Sequence, residues 1–204
     1  MARRWAGALP VLLAIALTGC SGSHSPTSTP TPRPTPIAKL DVAAIRVARV
    51  GFCNQVPAPA VRRALGAKPE ADMHWGNGDP LPRDSTTATT GDLTHELGCA
   101  WTGPSGSAAR AWVFGRPTTA AFAQTLVTQA GKQPGCKAEP TNVFGKPALL
   151  QTCDLPGGVQ RVRRAGLFGD SWVTCEVSGP TAPDLPTRTD AWCGAVVGAV
   201  QPTG

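Results

Sequence analysis

The sequence predicts an α+β domain, an antiparallel sheet with packed helices, stapled by three disulfides. Three observations carry that expectation. Six cysteines, Cys53, Cys99, Cys136, Cys153, Cys175 and Cys193, form an even set behind a first one, Cys20. Short runs of strand character follow one another with Gly/Pro turn signals between them. Those runs are interrupted by segments of helical period with caps and breakers at their ends.

The chain opens with Arg3 and Arg4 and an apolar run from Ala8 to Leu17, the layout of a secretory signal. Ten apolar residues span about 15 Å as a helix, half of a ~30 Å hydrocarbon core, which is too short for an ordinary membrane span. Leu17-Thr18-Gly19-Cys20 reads as a lipoprotein processing box, with small residues ahead of a thiol that would carry diacylglycerol. Residues 1–19 are therefore expected to be a lipoprotein signal peptide, and Cys20 the lipidated first residue of the mature chain. Two or three acyl chains, at about 0.8 kcal/mol per buried methylene, would hold it on the outer face of the cell membrane.

Residues 21–36 read SGSHSPTSTPTPRPTP, thirteen of the sixteen being Ser, Thr or Pro. Such a segment cannot bury enough apolar surface to fold alone. It is expected to be a disordered tether, with Thr27, Thr29, Thr31 and Thr35 as candidate O-glycosylation positions. At about 3.1 Å per residue it would reach roughly 50 Å. Residues 37–204 then form one domain, 168 residues long.

Within that domain Leu40 to Phe52 fits both a strand and a helical face, and its valines and isoleucine favour strand. Prolines at its start and Gly66 at its end mark a helix over Pro57 to Leu65, with Arg62 and Arg63 facing water. Lys68 to Asp92 lacks periodicity and reads as a long loop. Thr94 to Thr102 and Ala109 to Phe114 make a hairpin about Gly103-Pro104-Ser105-Gly106. A helix capped by Thr118 runs to Ala130, with Phe122, Leu126 and Val127 expected against the sheet. A polar loop holds Cys136. Ala148 to Cys153, Val159 to Leu167 and Ser171 to Ser178 form a meander. The chain closes with a Pro-rich loop, Gly179 to Pro186, and a helix from Asp190 to Val200 capped by Thr189.

Six cysteines allow fifteen pairings, and the sequential one is expected: Cys53 with Cys99, Cys136 with Cys153, Cys175 with Cys193. A cysteine one turn into the last helix can cross to the preceding strand, which favours the third pair. Closures of 17 and 18 residues would each contribute about 3 kcal/mol in the chain-entropy model. No C-x-x-C occurs and the three histidines lack ligand spacing, so neither a metal site nor a thioredoxin-like centre is expected. No cofactor is expected.

Loss of residues 1–19 removes two arginines and no acid, lowering the formal charge from +6 to +4. That is too weak and dispersed a charge for nucleic acid. Arg161 and Arg163 share one face of their strand and are candidate anion-binding residues, although a solvated outer face is the simpler reading. Trp101, Trp112, Trp172 and Trp192 are candidates to line an apolar cavity, or plain core. His74, Asp79, Asp84, Asp92 and His95 supply acid-base groups in or beside the long loop, without evidence of being held together. Gly103-Pro104-Ser105-Gly106-Ser107 does not match a serine nucleophile motif, so no catalytic residue is assigned.

The lipobox, the tether, Cys53, the Cys99-Ala100-Trp101 strand and the segment Gly166 to Trp172 together resemble uncharacterised actinobacterial lipoproteins with a Cys-rich α+β domain. More loosely, the chain is similar to the extracellular sensor domains of actinobacterial serine/threonine kinases. The resemblance carries no catalytic motif. The functional expectation is a membrane-anchored, non-enzymatic binding or sensor module of the cell envelope, meeting a small or lipidic envelope ligand or an envelope protein. The alternative is an envelope hydrolase or wall-modifying enzyme using the loop histidines and aspartates.

Overall fold

The computed structural model describes residues 35–80 and 92–202. The signal segment, Cys20, His24, Thr27, Thr29, Thr31 and Asp84 lie outside the described residues. Among the described residues seven strands form one sheet: β1 (Ala71–Trp75), β2 (Glu96–Thr102), β3 (Ala108–Phe114), β4 (Cys136–Thr141), β5 (Ala148–Leu155), β6 (Val159–Phe168) and β7 (Ser171–Pro180). Every pairing is antiparallel, in the order β1-β2-β3-β7-β6-β5-β4. Three α-helices among the described residues accompany it: α1 (Ala58–Leu65), α2 (Ala120–Ala130) and α3 (Leu185–Ala199). This is the α+β class that the sequence predicts.

Period-two alternation divides the sheet into two faces. On one, Cys99, Trp101, Ala109, Ala111, Val113, Val173, Cys175 and Val177 meet α1 and α3 in the larger core. Trp192 of α3 stands edge-on to Trp101 at 5.5 Å, and its Nε1 donates to the Arg110 carbonyl at 3.0 Å. On the other face Ala123, Val127 and Ala130 of α2 pack on Leu149, Ala165, Leu167 and Trp172.

α1 begins beside Pro57 and Pro59 and stops at Gly66, whose φ of 73° is the left-handed conformation that glycine adopts without steric cost. Three disulfides join Cys53 to Cys99, Cys136 to Cys153 and Cys175 to Cys193, the sequential pairing. The first ties a short 3-10 turn to β2, the second joins facing residues of β4 and β5, and the third ties β7 to α3.

Several elements differ from expectation for local physical reasons. Leu40 to Phe52 is irregular rather than a strand, because the Asp41 carboxylate accepts from the Ala43 and Ala44 amides and closes a turn. The long loop contains β1, and the polar loop around Cys136 is β4. Both are edge strands, wetted on more than one side, so neither shows hydrophobic alternation. Pro140 is tolerated in β4 because an edge strand has a side without ladder bonds.

α2 is capped by Thr119, not Thr118: its Oγ1 accepts from the Phe122 amide at 3.2 Å. Its buried side is Ala123, Val127 and Ala130, while Phe122 is half exposed. α3 starts at Leu185, five residues before the expected Asp190, since Pro186 sits in the first turn, where its missing N–H has no helical partner to lose. Thr189 therefore lies inside the helix and its hydroxyl donates to the Leu185 carbonyl.

Candidate binding groove

α2 packs chiefly on β4, β5 and β6 and reaches β7 at Trp172, which leaves the β1-β2-β3 side of that face without a helix of its own among the described residues. The register sets out what this face carries. Arg163, Glu176 and Arg110 lie side by side on β6, β7 and β3, and in the next row Ala165, Thr174, Trp112, Gly98 and Trp75 follow one another. The Trp75 indole crosses over Gly98, so closely that a Cβ there would lie 2.2 Å from the ring, and Trp75 Nε1 donates to Glu96 Oε1 at 3.2 Å.

Glu176 is buried, and three guanidinium groups surround its carboxylate. Arg163 approaches Oε2 with Nε and Nη2, each at 2.7 Å. Arg161 Nε stands 3.8 Å from Oε2, and Arg110 Nη1 is 3.9 Å from Oε1. The Arg163 guanidinium also lies over the Trp112 ring, 5.3 Å from its centre. One carboxylate therefore answers three cations, and the cluster carries a net positive charge of two.

Burial lowers the pKa of Arg161, against the opposing pull of Glu176, and its neighbours Arg163 and Arg110 add to the lowering. Burial likewise raises the pKa of the Glu96 carboxyl, against its Trp75 hydrogen bond and the Arg163 charge. Arg161 Nε is buried without a hydrogen-bond partner among the described residues. The sequence pair Arg161 and Arg163 does share a face. Arg164 points the other way and grips Asp190 of α3 through two hydrogen bonds, at 2.6 and 3.2 Å.

Between α2 and this face runs a groove of about 170 Å3 lined by Trp112, Phe114, Leu126, Gln129, Arg163 and Trp172 among others. Phe114 also lines an adjoining depression of about 360 Å3 with His95, Arg116 and Phe122. Phe122, Leu126 and Gln129 recur at helical spacing, so one stripe of α2 forms the wall. The four candidate tryptophans divide by face: Trp101 and Trp192 belong to the larger core, whereas Trp112 and Trp172 line the groove.

The acid-base candidates are dispersed. His74 Nε2 is 3.4 Å from Asp72 Oδ2 and lines a separate depression beside α1 with Trp101 and Arg62, while His95 lines the Phe122 end of the groove. The Asp79 carboxylate accepts from the Gly76 amide and closes a turn. Asp92 follows the undescribed residues 81–91. Among the described residues no group of three or more His, Cys, Asp or Glu side chains is placed to hold a metal ion, and no helix is long and apolar enough to cross a membrane.

Sequence reasoning missed Glu176, Arg110 and the groove wall of α2. Opposite charges facing each other across strands were the available signal, but reading it requires the β3–β7 and β6–β7 registers.

No protein-family model and no curated protein matches the chain. Among solved structures, the extracellular domain of PknH from Mycobacterium tuberculosis is a neighbour, with a TM-score of 0.43 and 13% identity over 70% of this chain and 91% of that one. PknH is a mycobacterial serine/threonine kinase.

Proposed function

We propose that the chain is a membrane-anchored bacterial lipoprotein whose domain is a non-enzymatic binding or sensor module of the cell envelope. Lipid on Cys20 would hold it at the outer face of the membrane, and residues 21–36 would act as the tether. Leu17-Thr18-Gly19-Cys20 supports the anchor, and three bridges in one domain fit the oxidising conditions met after export.

The observation that carries the binding reading is the half-uncovered sheet face. A domain that buries Trp101 and Trp192 in its core leaves Trp112 and Phe114 half buried and Phe122 half exposed along one groove. Concave apolar surface with a few polar groups at one end suits a small or lipidic ligand.

Two measurements test the reading. Native mass spectrometry of protein purified from its own envelope should show a retained small molecule, lost when Leu126→Ser is introduced in the groove wall. Cys20→Ala should move the protein from the membrane fraction to the soluble one while its unfolding transition stays unchanged. Persistent membrane association of that variant at high salt would rule out the lipid as the anchor.

A further inference from the structure

The groove is polarised along the strands. Arg110, Arg161 and Arg163 gather at one end around Glu176, and apolar rings follow: Trp112 two residues on from Arg110 and Phe114 two further, about 14 Å away at ~3.4 Å per residue. Leu126 and then Phe122 continue the apolar line on α2. Arg163 is occupied by Glu176 and the Arg161 Nη2 by Cys153 Sγ at 3.1 Å, whereas Arg110 reaches the Glu176 carboxylate only at 3.9 Å and is 48% exposed. A planar guanidinium with free N–H groups is a receptor for carboxylate or phosphate oxygens.

We infer that the groove takes a single anionic amphiphile, its carboxylate or phosphate head on Arg110 at the arginine end and its apolar body along Trp112, Phe114, Leu126 and Phe122. The inference rests on the binding reading above and names the ligand class for it. Glu176 holds Arg163 in place beneath the head and limits the excess charge. The apolar body accounts for the half exposure of Phe122, which no element among the described residues covers.

The test uses the full chain carrying Cys20→Ala, so that no detergent competes. Decanoate, decanol and decyltrimethylammonium are titrated by calorimetry, with tryptophan fluorescence as a second readout. Decanoate should bind at least about tenfold more tightly than decanol, the scale of one charge-assisted hydrogen bond. Decyltrimethylammonium should bind most weakly. Arg110→Gln, at an exposed position, should weaken decanoate about tenfold and leave decanol unchanged, and Arg63→Gln, exposed on α1 away from the groove, should change neither.

Equal binding of decanoate and decanol, or a loss with Arg63→Gln rather than Arg110→Gln, would overturn the assignment of the head. The groove reading would survive that result if Leu126→Ser still weakened every probe. Sedimentation with vesicles of anionic phospholipid, without any response to soluble decanoate, would overturn the inference by making this face a bilayer contact. No binding of any probe, with no ligand retained from the envelope, would remove both readings together.

Discussion

Replacing Glu176 by Gln removes the one carboxylate that three arginines share while keeping the side-chain shape. Glu176 is 3% exposed and Arg163 sits 2.7 Å from it, so the lost interaction is largely shielded from solvent. Arg110, nearly half exposed and 3.9 Å away, contributes little. Breaking a buried ion pair by removing one partner costs about 3–5 kcal/mol, chiefly because the other charge is left uncompensated. Gln still accepts one bond from Arg163, which places the expected loss near 3 kcal/mol. With a urea m-value of about 2 kcal/mol/M, the midpoint should fall by about 1.5 M. Arg163→Gln in the same background should restore part of the loss, giving a coupling energy well above that of independent sites. Sulfate should also stabilise the Glu176→Gln protein more than the parent, since an external anion can take the vacated place. A loss under about 1 kcal/mol, or strictly additive single and double variants, would mean that the arginines are individually solvated and that no cluster exists.

Two other outcomes follow from the same geometry. Burial raises the folded-state pKa of Glu96 above its ordinary 4.5, so its contribution to stability is present below that value and lost as pH rises through the raised one. Glu96→Gln should therefore stabilise the domain at pH 7.5 and make no difference at pH 3.5, read from urea midpoints; an advantage that persisted in acid would refute the burial argument. Among the disulfides, Cys53–Cys99 spans 46 residues and Cys136–Cys153 spans 17, which translate to about 4 and about 3 kcal/mol in the chain-entropy model. Paired Cys→Ala replacement followed by denaturant unfolding should give that order, and a reversed order would show that native packing, not loop closure, governs.

The central strands and all three helices were legible because each buries a repeating set of side chains: Ala109, Ala111 and Val113 on one face of β3, or Trp192, Val196, Val197 and Val200 along α3 and its C-cap. The two strands that were not legible, β1 and β4, are the sheet edges. An edge residue such as Met73 or Lys137 has too little to pack against for its polarity to be constrained. The candidate site was half legible for a related reason. Period two in β6 puts Arg161 and Arg163 together and sends Arg164 to α3, and this can be read within one strand. That their neighbour is Glu176, and that Arg110 completes the set, depends on which strands pair. The four residues lie 66 positions apart at the extremes, from Arg110 to Glu176, and only the crossover through α2 makes them adjacent.

That dependence gives the third disulfide a second role. Cys175 points into the larger core and reaches Cys193 on α3, and the next residue in β7, Glu176, must point to the opposite face. A slip of β7 by one residue against β3 and β6 would drive the carboxylate into the core between α3 and the sheet and carry Cys175 out toward the arginines. The bridge forbids that slip, since it ties the strand to a helix on one side only. Gly98 and Cys99 repeat the arrangement in β2: the cysteine is anchored to Cys53 on the core side, while the glycine on the groove side leaves room for Trp75. At both places a residue cross-linked in the core precedes or follows one that shapes the groove. The cross-links thus hold the register of β2 and β7 beneath a face that no helix among the described residues fully covers.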